Sequence, residues 1–212
     1  MGAGLIPCSI KNGKLYFLFG RENKYDDGYP NYWADFGGGT DNKETFLETA
    51  VREGTEELTG FLGSFDQIKN ILKKGTFNID NTTEGFGTFR THIFPLDYDE
   101  NLPYYYNNNQ LFLQKKLDQS LIKKSKIFEK SEIKWFSIDE LVKRKKNFKK
   151  WYQEIINKIL NSKNNIYKFI KNKQLKNLNN SRKTIHTYTH NNRNNKNNRN
   201  KNNKNNKTRS RR

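Results

Sequence analysis

Three glutamates, Glu53, Glu56 and Glu57, stand at i, i+3 and i+4 in the run Arg52-Glu53-Gly54-Thr55-Glu56-Glu57-Leu58-Thr59-Gly60. Leu47, Ala50, Val51, Gly54 and Leu58 recur at helical spacing through the same stretch. That spacing predicts an amphipathic helix with its carboxylates gathered away from the apolar stripe. Like charges so placed repel, and acids near a helix C-terminus oppose its macrodipole. A bound cation offsets both penalties. An all-oxygen ligand set suits a hard ion, Mg²⁺ first and Mn²⁺ second, with water and substrate phosphates completing the shell. Arg52 can reach Glu48 or Glu56 at i±4 and hold one carboxylate in place. The glycines at 37–39, just upstream, allow positive φ and a close approach of backbone to ligand.

The stretch from Gly37 to Gly60 resembles the Nudix box, in which a glycine is followed by five residues, Glu, seven residues, Arg-Glu, an aliphatic, any residue, Glu-Glu, any residue and Gly. Gly38, Glu44, Arg52, Glu53, Glu56 and Glu57 fall on that pattern. Two positions depart from it. Gly54 takes the aliphatic site, which is expected to thin the helix–sheet contact and to cost about 1 kcal/mol of helix propensity. Thr59-Gly60 sets the closing glycine one residue late, which is expected to move only the C-cap.

The resemblance implies an α/β fold, the Nudix-type α/β/α sandwich with a mixed sheet. It also implies hydrolysis of a nucleoside diphosphate linked to another moiety, at the pyrophosphate. Glu53, Glu56 and Glu57 would hold Mg²⁺ or Mn²⁺, Gly38 and Gly39 would shape the substrate loop, and Glu44 and Arg52 would orient the ligands. The general base stays open among Glu53, Glu56 and an acid such as Glu132.

Around the box, Gly2 to Ser9 and Lys14 to Gly20 read as two strands joined at Asn12-Gly13, a strong hairpin signal. Arg21 at the end of the second could meet a substrate phosphate or pair with Glu22 or Asp26. Tyr32 to Phe36 reads as a short strand running into the glycines, and Phe65 to Lys74 as a helix closed by Gly75. Thr76 to Ile79 and Gly87 to Leu96 read as strands, with a turn over Asp80 to Glu84. His92, mid-strand among apolar residues, reads as structural. Asp97 to Asn109 reads as a loop carrying Tyr104-Tyr105-Tyr106, either packed on the loop itself or presented to stack on a base.

Lys115 to Lys130 is basic and weakly patterned. A strand then leads to a helix start at Ser137, whose capping box is completed by Glu140. Glu129 and Glu132, near the start of that strand, could touch substrate or act as the base. Phe148 to Leu160, with Trp151, Tyr152, Ile155, Ile156 and Ile159, reads as an amphipathic closing helix.

Composition separates the chain into two parts. The formal charge is +18, yet of the 40 Lys and Arg residues 16 lie in 163–212, which has no Asp or Glu. The remaining 24 face all 22 acids, so residues 1–162 are nearly neutral. The expected organisation is therefore a Nudix domain over 1–162 and an Asn/Lys/Arg-rich tail over 163–212. Ile166 to Leu178 is readable as one more basic helix and the remainder as disordered. Such a tail binds RNA through its phosphates, or reflects a coding bias toward Asn and Lys. His186 and His190 lie within it without a third ligand.

Cys8 is the single cysteine, expected in the core, so no intramolecular disulfide forms. No membrane-spanning run, secretory signal or myristoylation motif is present, and a soluble, intracellular (cytoplasmic) protein is expected. Three functions suit these features: a hydrolase of small nucleotide derivatives, a decapping hydrolase using the basic tail on RNA, and a non-catalytic nucleotide- or RNA-binding protein. The intact glutamate set argues against the last.

Overall fold

The computed structural model of the chain describes residues 1–25, 28–41, 43–85, 87–125 and 128–176. Within it a compact unit runs from Met1 to Ile170. Strands β1 (Gly2–Lys11) and β2 (Lys14–Glu22) form the expected hairpin. Both turn residues, Asn12 and Gly13, have positive φ, at 50° and 74°, as a two-residue turn matching the strand twist requires.

The chain returns as two short strands, β3 (Trp33–Ala34) on β2 and β4 (Phe36–Gly39) on the first half of β1. The glycine run is therefore strand, not loop. None of Gly37, Gly38 and Gly39 has positive φ; what they supply is the absence of side chains. A Cβ on Gly37 would lie 2.4 Å from the Gly4 Cα atom on the neighbouring strand.

Helices α1 (Phe46–Glu57) and α2 (Phe65–Lys73) follow, with Thr45 and Ser64 as N-caps closed by Glu48 and Gln67 in capping boxes. Strands β5 (Phe77–Thr83) and β6 (Gly87–Pro95) pair antiparallel, and β6 runs parallel to β1, making the sheet mixed. The turn expected over Asp80 to Glu84 is strand as far as Thr83. Asp80 faces Arg90 across the ladder in a bidentate pair of 2.7 Å bonds, and that pairing overrides the turn propensity of an Asn/Asp-rich run.

The segment read as a loop from Asp97 to Asn109 is largely helix, α3 (Leu102–Lys116). Its Asn-rich exposed face hides the period, and only Tyr106 and Gln110 are buried among its residues. Tertiary contacts decide its conformation. The Tyr106 hydroxyl donates to the Glu57 carbonyl at 2.7 Å, and the Asn107 side chain exchanges two bonds with the Ile133 backbone. After α4 (Gln119–Ser125) comes β7 (Lys130–Ser137), paired with β2. Then follow α5 (Ile138–Arg144), capped by Ser137 and Glu140 as expected, a 3₁₀ turn at Lys145–Asn147, and α6 (Tyr152–Asn161).

Among the described residues the seven strands make one sheet with helices on both faces. Strand alternation divides the core accordingly. Leu5, Leu18, Phe36, Ile133 and Trp135 meet Val51 and Leu58 of the α1 region, Ile68 and Leu72 of α2, and Tyr106 of α3. Ile6, Cys8, Phe17, Phe19 and Phe136 meet Leu141, Tyr152, Ile155, Ile156 and Ile159 on the other face. Ile166 and Ile170, which composition assigns to the tail, are fully buried in that second cluster, within a helical stretch over 163–176. Of the second unit, Lys171–Arg212, only 171–176 is described. Leu178, His186, His190 and the expected disorder of the tail lie outside the described residues.

Candidate metal and substrate site

Helix α1 lies very close to the sheet because Gly54 lets it. A Cβ there would come within 2.2 Å of Leu5 on β1. The expectation that Gly54 thins this contact is thus corrected: the contact is tight, and glycine is what the available space accepts. At the helix end, Thr59 itself takes φ 48° beside Gly60 at 77°. The displaced glycine therefore moves more than a cap, since it puts a β-branched residue in the left-handed region at about 1–2 kcal/mol.

The tight docking carries Glu53 and Glu57 onto the glycine strand. A Cβ on Gly38 would fall 2.5 Å from Glu53 Oε1, so any side chain at 38 would displace that carboxylate. The Gly37 amide donates to Glu57 Oε2 at 2.9 Å. Arg52 gathers the loop around them. Its guanidinium donates to Glu44 at 2.9 and 3.1 Å, to Glu53 at 2.8 Å and to the Gly39 carbonyl at 3.0 Å. Its nearest approach to Glu56 is 3.6 Å. Glu48 instead accepts at the helix N-cap. Arg52 holds the Glu44 carboxyl down at about 2, with Thr49 and the Asp41 amide adding bonds.

Glu57 belongs to the buried face of α1, not to an exposed acidic side. It is 5% exposed and meets Lys130 Nζ at 3.1 Å. Lys130, 1% exposed at the first residue of β7, also pairs with Glu22 at the end of β2. Glu22 takes a second cation, Lys149 Nζ, at 2.8 Å. Burial pushes the Glu57 carboxyl well up, against the pull of Lys130. Burial also opposes the charge on Lys130, but Glu57 and Glu22 hold its pKa above the ordinary lysine value.

Glu53, Glu57 and Glu129, just before β7, each place an oxygen within 4.8 Å of the others. Burial raises Glu53, Arg52 opposes the rise, and Glu56 and Glu129 add to it. Three carboxylates converging in a half-buried site, with raised proton affinity at two of them, suit a hard divalent cation. Both Glu57 oxygens already have a neutral or cationic donor that orients them. The residues fit Mg²⁺ or Mn²⁺.

The cluster opens on a cleft of about 1050 Å³, lined also by Glu22, Gly37, Gly38, Tyr29, Lys149 and Trp151. Residues 2–159 match the NUDIX domain. The chain belongs to the Nudix family. It is 47% identical over 62 residues to an uncharacterised protein, L534, of Acanthamoeba polyphaga mimivirus, a match taking in 27% of this chain and 19% of that protein. Among solved structures it resembles the Nudix hydrolase RenU of M. smegmatis at 15% identity, covering 78% of this chain and 86% of that one with a TM-score of 0.46. It also resembles a bifunctional NMN adenylyltransferase/ADP ribose pyrophosphatase of Francisella tularensis at 18% identity, covering 76% and 41% with a TM-score of 0.47.

Of the residues expected to form the Nudix site, the structure brings Gly38, Gly39, Glu44, Arg52, Glu53 and Glu57 together. Glu56 stands apart from the three-carboxylate cluster, its side chain 62% exposed. Arg21 and Glu132 face each other across β2 and β7 and pair at 3.2 Å, with Arg21 also donating to the Asn31 carbonyl. Neither lines the cleft. Of the two acids named near β7, Glu129 is the one that joins the cluster. Tyr106 holds the end of α1, while Tyr104 and Tyr105 are exposed. Lys130, Lys149 and Trp151 escaped the sequence reading. The lysines sit among many others, and Trp151 fits a helical stripe. No sequence signal marks them: Lys130 closes the weakly patterned basic stretch, and its place as the first residue of β7, paired with β2, is given by the fold.

Proposed function

We propose that this Nudix protein is a divalent-metal-dependent pyrophosphohydrolase acting on a nucleoside diphosphate linked to another moiety. The observation that carries this reading is the convergence of Glu53, Glu57 and Glu129 on one wall of the cleft. A bound Mg²⁺ or Mn²⁺ would neutralise phosphate charge and lower the pKa of the attacking water. Glu53, Glu57 and Glu129 would hold it, with Glu56 a further carboxylate on the same helix. Arg52 and Glu44 fix Glu53, and Gly37 and Lys130 fix Glu57, so the ligands are oriented before substrate arrives. Either Glu53, on α1, or Glu129, just before β7, would take a proton from the water, since both line the cleft.

The test is turnover of a panel of small nucleoside diphosphate derivatives with Mg²⁺ and with Mn²⁺. Glu53→Gln and Glu57→Gln should each lower kcat by about 10² or more, as loss of an aligned charged group does. Both should weaken Mn²⁺ binding measured directly by electron paramagnetic resonance. Unchanged turnover and unchanged Mn²⁺ affinity in both variants would remove the metal assignment.

A second reading is favoured by the 16 basic and no acidic residues of 163–212. In it the tail concentrates capped RNA for cleavage at the cap pyrophosphate. Release of the cap nucleoside diphosphate, faster from the full chain than from one lacking residues 177–212, would select it over the small-nucleotide reading.

A further inference from the structure

The stretch from Lys149 to Trp151 lies outside the Nudix box and has no part in the carboxylate cluster, yet both its ends line the cleft. It is firmly held. Phe148, fully buried, packs on Phe19 and Phe136 and bridges to Trp33, and the Lys149 amide donates to the Trp33 carbonyl at 3.1 Å. The segment thus continues the edge formed by β3.

Lys149 is the outer of two cations on Glu22. Lys130, the inner one, is sealed at 1% side-chain exposure, whereas Lys149 is 17% exposed. Glu22 therefore keeps a buried partner when Lys149 turns to another anion. The cleft is otherwise dominated by acids, with Glu22, Glu53, Glu57 and Glu129 among its lining. A diphosphate entering it needs a fixed cation besides the metal. The other lining lysine, Lys24, stands over the Tyr25 ring at 4.8 Å.

Trp151 offers a flat apolar surface two residues further on. Its indole meets Phe89 and Tyr152 edge-on, at 5.0 and 5.3 Å, which fixes the ring plane. It remains 37% exposed, against 8% for Trp33 and 5% for Trp135. An anchored, half-exposed ring beside a phosphate-binding cation is the pairing a nucleotide presents in reverse, since its base and phosphates are separated by one sugar. Every base has a π-face that such a ring can stack on.

We infer that Lys149–Trp151 is the nucleotide-recognition element of the cleft, with Lys149 pairing to a phosphate of the diphosphate and Trp151 stacking on the base. This rests on the pyrophosphohydrolase reading for the direction of the substrate, which lies with its pyrophosphate toward Glu53 and its base toward Trp151. The backbone of the segment and the Trp151 ring are held in place before binding, so little ordering entropy is lost there when substrate enters. Substrates with an aromatic base are thereby selected over diphosphates of sugars or polyols.

The test uses the full chain and two probes, ADP and inorganic pyrophosphate, with affinities from calorimetry and with tryptophan emission. Trp151 is the exposed one of three tryptophans, so ADP should quench emission and Trp151→Phe should abolish the quench. Trp151→Leu, which keeps the apolar packing on Phe89, should weaken ADP roughly tenfold and leave pyrophosphate unchanged. Lys149→Met should weaken both probes by a similar factor, and Lys149→Arg should restore most of the loss. Circular dichroism and thermal melting exclude variants that fail to fold, with Lys149→Arg and Trp151→Phe as the conservative pair. A quench that survives in Trp151→Phe, or ADP affinity unmoved in both Trp151→Leu and Lys149→Met, overturns the inference. Turnover separates the two readings. A wild-type chain that binds ADP with quenching but cleaves no pyrophosphate loses the hydrolase assignment and keeps this one. Wild-type KM in both Trp151→Leu and Lys149→Met does the reverse.

Discussion

At the scale of single residues, the site depends on charges placed where water cannot reach them. Lys130 bridges Glu22 and Glu57 with all three side chains buried. Replacing it by Met would leave Glu57 without its cation and Glu22 with Lys149 alone, and breaking a buried pair in this way costs about 3–5 kcal/mol. Lys130→Met should therefore lower the urea midpoint strongly, and a shift below about 1 kcal/mol would show that water already screens the network. Asp35 presents the opposite case. Burial pushes its carboxyl up to about 6 despite Lys130 nearby and a 3.0 Å bond from Thr91. The folded state thus holds this proton more tightly than the unfolded chain does. Stability should fall as pH rises from about 4 to 6 and carry the full penalty above that. Asp35→Asn keeps an acceptor for Thr91 and removes the charge. It should be the more stable protein at about pH 7.5, by up to roughly 3 kcal/mol, with the gain fading near pH 4 in urea titrations. Residues that carry a motif were legible in the sequence because their spacing is diagnostic. Lys130 and Glu22 were not, because a lysine among lysines gains meaning only when two distant strands meet.

At the scale of elements, what matters is how closely α1 approaches β1 and β4. Helix propensity alone would reward Gly54→Ala by about 1 kcal/mol. The added Cβ would instead overlap Leu5, which is fully buried and has nowhere to move. Overpacking of this kind costs about 1–3 kcal/mol, so Gly54→Ala should be destabilising. Because Glu53 and Glu57 ride on the displaced helix, Mn²⁺ affinity should fall with it. A stabilised variant with wild-type Mn²⁺ binding would mean that the helix can slide without moving its carboxylates. The hairpin, α1, α2, β7 and α5 were readable because turn residues, caps and periodicity agree there. Helix α3 was not. Its exposed asparagines and tyrosines carry no stripe, and it is held by tertiary contacts, among them Tyr106 on the end of α1 and Asn107 on β7. The glycine strand misled for a related reason, since glycine in sequence signals a turn and here it records crowding between strands.

At the scale of the whole molecule, charge and packing divide the chain at different places. The basic excess begins at 163, but Ile166 and Ile170 are fully buried, four residues apart on one face of the helical stretch 163–176. Lysines and asparagines between them conceal that stripe from any composition-based boundary. Ending the chain at 162 would remove both isoleucines from the core, at about 1.5–3 kcal/mol each for lost burial and more for the exposed apolar surface left behind. A chain ending at 176 keeps them and still loses eleven of the Lys and Arg residues. The expected result is a 1–176 protein with the melting temperature and small-nucleotide turnover of the full chain, and a 1–162 protein that melts many degrees lower. RNA affinity provides the contrast. If the residues beyond 176 neutralise phosphates, the salt dependence of binding to a single-stranded RNA should flatten in 1–176. The log–log slope should drop by about 0.7 for each phosphate that the shortened chain no longer neutralises. An equal slope in both chains would place RNA binding on the folded unit. The tail would then contribute charge to the protein but no grip on nucleic acid.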